Sequence, residues 1–362
     1  MSTFKCEVVP VKLESHPNAD TLSIVKIWGY TVVVKTSDWE GHDRGVYIPP
    51  DSVVPYHDRF AFLFKPEQII RFQELGPVDR DANYLPTTRV TVRRFRGVYS
   101  QGLLTPAPPW GMIVAGDTPG CQPDIGTDFA EPWGITHYEP PIRYHVYGGK
   151  ASPPIAGPPG LVVPKYDVES FNRYGDLLSE GTPVYVTEKI HGCNARYVYA
   201  PTTDDLTVEG GMFCGSRTQW KSFSDTDPWW KALGQSLWIE TWCRAHPRTV
   251  LYGEVFGQVQ DLKYGAENGQ LFFRAFDVLD RGRWLNYAEL EEAVGPNERA
   301  PVAFLGPFDE ALVREIAERD SVICPGQCSE GVVICPLIEM THPTIGRVQL
   351  KIVSNRYLEK GK

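Results

Sequence analysis

Residues Val184-Tyr-Val-Thr-Glu-Lys-Ile-His-Gly-Cys-Asn194 alternate apolar and polar side chains and then break at Gly192. The β-branched and aromatic run that leads into Glu188 and Lys189 reads as a strand ending in a charged pair. A lysine at such an end keeps its stem buried and its ammonium partly desolvated, which favours the neutral amine. A neutral amine attacks phosphoryl and carbonyl centres. The plain alternative is a surface lysine at a strand end, the commoner fate of that residue. The fragment alone leaves both readings open.

Outward from this stretch, residues 161–362 read as α+β material. Strands are expected at PVYVTEK (183–189), ARYVYA (195–200), TVLYGEVFG (249–257), LFFRAFDVL (271–279), EGVVICP (330–336) and VQLKIV (348–353). Helices are expected over 229–245, 287–294 and 309–319, the last with Leu312, Val313, Ile316 and Ala317 at helical spacing for packing. Upstream, 13 of the 31 prolines fall between Thr105 and Pro164. The pairs Pro108-Pro109, Pro140-Pro141, Pro153-Pro154 and Pro158-Pro159 bar helix and central strand alike. Residues 106–160 are therefore expected to be a connector running over the surface. Before it, CEVVPVKLE, SIVKIWGY, TVVVKT, GVYIPP and RVTVRRF read as short strands broken by turns, the pattern of a small antiparallel barrel.

Five segments follow the first in order: Cys214-Gly-Ser-Arg217, Leu251-Tyr-Gly-Glu-Val-Phe-Gly257, Phe273-Arg-Ala-Phe-Asp-Val278, Glu330-Gly-Val-Val-Ile-Cys-Pro336 and Leu350-Lys-Ile352. Together with Lys189-Ile-His-Gly-Cys-Asn194, which has the form KxHGxN, they resemble the motifs of the covalent nucleotidyltransferase superfamily of ligases and capping enzymes. DNA ligases and capping enzymes usually carry Asp where His191 stands, so the resemblance is to the RNA ligase branch. It spans nearly all of residues 161–362. It implies an α+β nucleotidyltransferase (adenylyltransferase) domain of antiparallel sheets with flanking helices.

The resemblance also implies roles. Lys189 attacks the α-phosphate of ATP, expels pyrophosphate and carries AMP as a lysyl-adenylate. Phe276 stacks on adenine, and Glu254 accepts hydrogen bonds from the ribose hydroxyls. Glu188, Asn194, Arg217 and Lys351 join them in binding ATP or AMP, Arg217 as a planar clamp on phosphate. His191 and Asp277 complete the site. Glu330 orients Mg²⁺ through water, with Mn²⁺ able to substitute. Blander readings stand beside these: core packing for Phe276, a solvated surface for Arg217, turn positions for His191, Asn194 and Glu330. Glu254 is less open to one, since a carboxylate on an apolar strand needs a partner. Two positions depart from the family pattern. Cys335 stands where a lysine often precedes proline, and Lys351 lacks the second lysine at alternate spacing, having Gln349 or Val353 there. Arg347 or Arg356 is the candidate to supply the missing charge.

In the N-terminal part, His16-Pro-Asn-Ala-Asp-Thr-Leu-Ser23, Gly45-Val-Tyr-Ile-Pro-Pro50 and Arg96-Gly-Val-Tyr-Ser-Gln-Gly-Leu-Leu104 resemble the tRNA-binding OB module appended to some aminoacyl-tRNA synthetases. The likeness covers roughly residues 4–105 and implies an OB-type β-barrel over 1–105, a connector over 106–160 and the ligase domain over 161–362. Arg93, Arg94 and Arg96 are the candidate nucleic-acid contacts, with Arg94 and Arg96 on one strand face and Arg93 on the other. A solvated, charge-protected strand edge is the alternative.

The composition, with 42% hydrophobic and 22% charged residues, is that of an ordinary globular chain. A net charge of −9 argues against non-specific coating of nucleic acid. Residues 1–110 hold 13 Lys/Arg against 12 Asp/Glu, leaving 23 against 33, so any nucleic-acid surface is a local patch. No signal peptide is read at MSTFKCEVVPV and no apolar run is long enough to span a bilayer. Eight cysteines without framework spacing suit free thiols in a reducing cytosol; Cys324, Cys328 and Cys335 cluster, but no CxxC pair and no nearby histidine at ligand spacing completes a zinc site. Together with these bounds, the resemblance implies a cytoplasmic, monomeric, ATP-dependent RNA ligase that joins 3′-hydroxyl and 5′-phosphate ends. Resemblance to the subgroup that joins an OB module to this domain implies a nicked duplex whose 3′-hydroxyl strand is RNA. The alternatives are a DNA ligase or capping-type nucleotidyltransferase, revealed by labelling from GTP but not ATP, and an RNA-binding or end-sensing protein with a decayed adenylation site.

Overall fold

A computed structural model describes residues 3–69, 86–108, 123–139, 142, 152–201 and 211–360. The pair Pro140-Pro141 lies outside the described residues. The chain divides into two compact units, Met1–Glu139 with Leu358–Lys362, and Pro140–Tyr357.

In the first unit, alternation sets which face each strand buries. The strand Arg44–Ile48 lies between Glu7–Pro10 and Leu103–Pro106, antiparallel to both. Val46 and Ile48 enter one core, with Val8, Phe60, Phe129 and Ile135; Tyr47 enters another, with Val9, Val25, Ile27, Val32 and Trp39. A strand buried on both faces thus separates two small cores. Glu14–His16, Ala19–Ile27 and Tyr30–Lys35 form a second antiparallel sheet, and Arg93–Phe95 pairs with Val98–Ser100 as a hairpin. The expected connector is corrected over residues 123–139. Thr136–His137 pairs with Ser52–Pro55, and Phe129, Ala130 and Ile135 are core residues of this unit. The apolar side chains of FAEPWGI outweigh the prolines around them.

The second unit contains two sheets. The seven-stranded sheet is antiparallel, in the order Pro154–Ile155, Trp220–Lys221, Gly211–Ser216, Gly192–Ala200, Val250–Gly257, Leu271–Asp280, Arg283–Trp284. One face carries Ala195, Tyr197, Leu251, Val255 and Phe273 against Trp229, Ala232, Ile239 and Cys243. The last four come from the helices Pro228–Gln235 and Trp238–Ala245. The single helix expected over 229–245 is therefore two. Ser236 leaves helical geometry, with φ −122° and ψ 73°, just after Gly234, a weak helix former. Asp227 caps the first by accepting from the Trp229 amide.

The five-stranded sheet runs in the order Glu169–Ser170, Leu350–Val353, Gly331–Pro336, Pro183–Glu188, Val302–Pro307, with only the first pair parallel. Val184, Val186, Val332, Ile334, Leu350 and Ile352 bury one face against Val313, Ile316 and Ala317 of the helix Glu310–Ala317. Each sheet thus has one face closed by helices, and the chain crosses from one sheet to the other through Lys189-Ile190-His191. No helix among the described residues is long and apolar enough to cross a membrane.

Candidate active site

The crossing places Lys189 where both sheets contribute. Its amide stays in the ladder of the five-stranded sheet, donating to the Gly331 carbonyl at 2.9 Å. Its Nζ lies 2.6 Å from Glu330 Oε1. Two glycines permit this approach. A Cβ at Gly331, where φ is +144°, would collide with the Ile352 carbonyl, and one at Gly192 with the Val255 carbonyl. The other Glu330 oxygen, Oε2, is 3.4 Å from His191 Nδ1. Burial by itself raises the Glu330 carboxyl, but the Lys189 ammonium and His191 outweigh it and hold the group down at about 2. His191 is buried; its backbone N–H donates to the Tyr264 hydroxyl at 2.7 Å, and its Nδ1 lies 3.3 Å from the Tyr357 hydroxyl. That leaves His191 Nε2 buried with no hydrogen-bond partner, as are Glu330 Oε2 and Asn194 Oδ1. Buried polar atoms left unpaired cost free energy, so three of them near one lysine mark a place built for a ligand.

Across the cleft, Asn194 is the register partner of Glu254, which puts both side chains on the face of the seven-stranded sheet away from its helices. Burial pushes the Glu254 carboxyl up to about 8, against the opposing pull of the Lys189 charge. Phe272, Arg274 and Phe276 alternate with the buried Phe273 and Ala275 and are half-buried. Phe276 packs with Ile190 and Phe256, and its ring centroid is 4.5 Å from that of Tyr166. On the five-stranded sheet Lys351 pairs with Val333, which pairs with Thr187, so all three share the face opposite the helix-covered one. Burial and the nearby Lys189 charge push the Lys351 ammonium down. Lys189, Glu254, Glu330 and Lys351 therefore form one electrostatic cluster, and Asn194 and Phe276 lie on its wall.

Other expected residues sit differently. Glu188 is on the helix-covered face, where its Oε2 accepts from the Val322 amide at 2.8 Å; burial raises its carboxyl. Its Oε1 is buried without a partner on that face, so the structure does not bring Glu188 to the cleft. Arg217 is exposed, 3.5 Å from Asp167, yet its charge also bears on Lys351. Asp277 is buried and committed: Tyr166 donates to it at 2.9 Å, Arg347 at 2.8 Å and Gln349 at 3.2 Å. Arg347 also donates to Glu339 at 2.7 Å, and Arg356 pairs with Asp320 at 2.9 Å. Neither arginine is a loose cation that replaces the missing lysine; both charges are already matched. Gln349, in the alternate position, is tied to Asp277. Cys335 is buried beside Tyr185 and Tyr287, and burial pushes its thiol up to about 12, so it carries no charge there. Among the described residues no group of three or more His, Cys, Asp and Glu is gathered to hold a metal ion. The unpartnered Glu330 and Asn194 oxygens fit a cation that keeps much of its own water.

In the first unit Arg93, Arg94, Phe95 and Arg96 are all exposed. Arg94 lies with its guanidinium 5.1 Å over the Tyr99 ring. The expectation that Arg96 shares a strand face with Arg94 is corrected. The strand ends at Phe95, and Arg96 is in the turn with φ +45°.

Sequence reasoning missed Tyr166, Tyr264 and Tyr357. Nothing in their local sequence distinguishes them from core tyrosines, and each acts on a motif residue far away along the chain.

Comparison with known proteins agrees with the fold. Residues 182–353 match the family model described as RNA ligase, and residues 8–107 match one described as an OB-fold domain. Among solved structures, Naegleria gruberi RNA ligase with PPi is similar over 100% of this chain and 99% of that one, at 21% identity and TM-score 0.74. A lysine-to-alanine mutant of the same ligase with ATP and Mn matches at 21% identity and TM-score 0.71, covering 98% of each chain. A glutamate-to-alanine mutant with ATP and Mn matches at 22% identity and TM-score 0.73, covering 99% of each. At this identity the likeness shows the fold: an OB-fold domain followed by a sheet-rich domain with flanking helices. No curated protein matches the sequence.

Proposed function

We propose, from the premise that residues 182–353 are an RNA ligase domain, that this enzyme joins RNA ends with ATP through an adenylate on Lys189. The observation that carries this reading is the Lys189–Glu330 pair at 2.6 Å, set among three buried polar atoms that have no partner. Nζ forms a bond to the α-phosphorus of ATP while the bond to pyrophosphate breaks, and the ammonium proton must leave first. Glu330 accepts a hydrogen bond from the nucleophile and positions it. Lys351, which feels the Lys189 charge, lies ready to neutralise phosphate. Glu254 meets the ribose, and Phe276 offers a ring face to adenine. The AMP then passes from Lys189 to a 5′-phosphate, and a 3′-hydroxyl displaces it, leaving a phosphodiester.

Glu330 and Asn194 would help hold a divalent cation, Mg²⁺ or Mn²⁺, which would supply positive charge against the phosphates. The substrate is a nicked duplex with RNA on the 3′-hydroxyl side, gripped by Arg93, Arg94 and Arg96 of the OB-fold unit. The test is intact mass of the purified protein before and after Mg²⁺-ATP. A gain of one AMP, lost in Lys189→Ala, is expected. No gain, or a gain in the variant, sinks the assignment.

A further inference from the structure

We propose that residues 93–100 form a site for unpaired RNA, in which Phe95 stacks on one base and Arg93, Arg94 and Arg96 meet the flanking phosphates. We further propose that His16 and Asn18 are the clasp that holds this hairpin in shape. The inference rests on the reading of the chain as an RNA ligase and specifies what its first unit grips.

The hairpin is unusual at its tip. Phe95 pairs with Val98, so the turn has two residues, Arg96 and Gly97, with φ of +45° and +93°. Tight hairpins favour this geometry, but at Arg96 it places a Cβ-bearing residue in the left-handed region, which needs outside support. The support comes from the motif His16-Pro17-Asn18. Asn18 Nδ2 donates to the Arg96 carbonyl at 2.9 Å. His16 Nδ1 accepts from the Asn18 amide at 3.1 Å, so in the neutral ring Nε2 bears the hydrogen. That nitrogen is 3.2 Å from the Phe95 carbonyl and donates to it. His16 itself is 6% exposed, a buried histidine spent on fastening the Phe95 carbonyl and, through the Asn18 amide, orienting the side chain that holds the Arg96 carbonyl.

The clasp presents four exposed side chains. Phe95 is 42% exposed, on the same strand face as Arg93. Arg94 points to the other face, across from Tyr99. Among the described residues no carboxylate pairs with any of the three arginines, in a chain whose net charge is −9. Three such guanidinia select a polyanion. An exposed phenyl between them selects one with accessible aromatic faces. Bases inside a duplex are stacked on one another and offer no face, whereas unpaired bases do. An acidic peptide would satisfy the arginines but leave the phenyl without a matching group.

The experiment uses the full chain and nicked RNA duplexes that differ only in an unpaired RNA extension, on the 5′ or the 3′ end, with affinity read by anisotropy at fixed salt. The expected result is a roughly five- to hundred-fold preference for an extended duplex over the blunt one, from one stacked base. Phe95→Ala should erase that preference, and Phe95→Trp should keep it. Thermal unfolding and AMP gain should match the parent in both variants. His16→Ala with Asn18→Ala should also lose the preference, since the turn is released. Equal binding of blunt and extended duplexes by the parent overturns the proposal. So does a preference that survives Phe95→Ala, or an equal loss on both substrates. Binding is read without turnover, so an absence of AMP gain in the parent would overturn the ligase reading alone.

Discussion

Arg93, Arg94 and Arg96 stand exposed on a hairpin with no carboxylate partner among the described residues. Lys189, Glu330, Glu254 and Lys351 instead crowd where two sheets meet, and each of those charges is felt by another. On the function proposed above, the difference follows from what each region would hold. A long polyanion is drawn by charges left in the open, where binding is driven by counterion release and falls with salt. A small nucleotide must be oriented to within a bond's reach, which takes preorganised groups in a dry setting. Buried charge is costly unless matched, so the cleft is paired and the hairpin is not.

Removing the proposed nucleophile separates the two regions most sharply. Lys189→Ala should abolish AMP gain and the joining of 5′-phosphorylated ends, measured by mass and by gel, while RNA affinity stays that of the parent. Given ends already adenylated, the variant should retain some joining, because that step needs no new lysyl-adenylate.

The next largest effect is on stability. Arg347→Met leaves Asp277 buried against Tyr166 and Gln349 without its cation, and breaking a buried pair costs about 3–5 kcal/mol. Denaturant unfolding should show that loss, and a shift below about 1 kcal/mol would mean that the pair behaves as a surface one.

Glu254→Ala and Phe276→Ala should each weaken ATP binding by about 1–3 kcal/mol, roughly ten- to a hundred-fold. Isothermal calorimetry with unhydrolysed nucleotide would measure it; unchanged affinity in both folded variants rules out this adenosine pocket. On the hairpin side, Arg93→Ala, Arg94→Ala and Arg96→Ala together should flatten the salt dependence of nick binding by about 0.9 for every phosphate that is no longer neutralised. AMP gain should not change, which keeps the two regions distinct.

The smallest expected effect is on pH dependence. Glu254 has its folded carboxyl raised to about 8 from an ordinary 4.5. The folded state therefore holds a proton that the unfolded chain releases, and the stability this gives is full below about 4.5 and lost as pH rises through about 8. Glu330, held down at about 2, works the other way: its contribution is present above 4.5 and lost as pH falls toward 2. Melting temperature against pH should therefore be flatter between about 5 and 8 in Glu254→Gln than in the parent. Parallel curves would remove Glu254 from the account.

Much of this was legible along the chain, and the reason is local. A strand of alternating residues announces its buried face, so 184–188, 250–257 and 331–336 could be placed and their polar ends read as a site. Spacing says nothing about partners 70 residues apart, which is why Arg347 reads as a spare cation when it is Asp277's mate. Composition misleads over 123–139, where three core residues hide among prolines. The turn at Arg96 does carry a signal, Gly97, but four arginines in eight residues read more strongly as a strand. Tyr357, which reaches His191 from the last helix, has no signal at all.

The three-residue crossing at Lys189-Ile190-His191 has a mechanical consequence. The lysine's amide belongs to one sheet, and three residues later the chain belongs to the other. A nucleotide fixed on that side chain, touching Glu254 of one sheet and Lys351 of the other, would act as a rivet through a joint. Adenylated protein should then resist proteolysis between the sheets longer than free protein does, so the chemical state of one lysine would be legible as the stiffness of a whole domain.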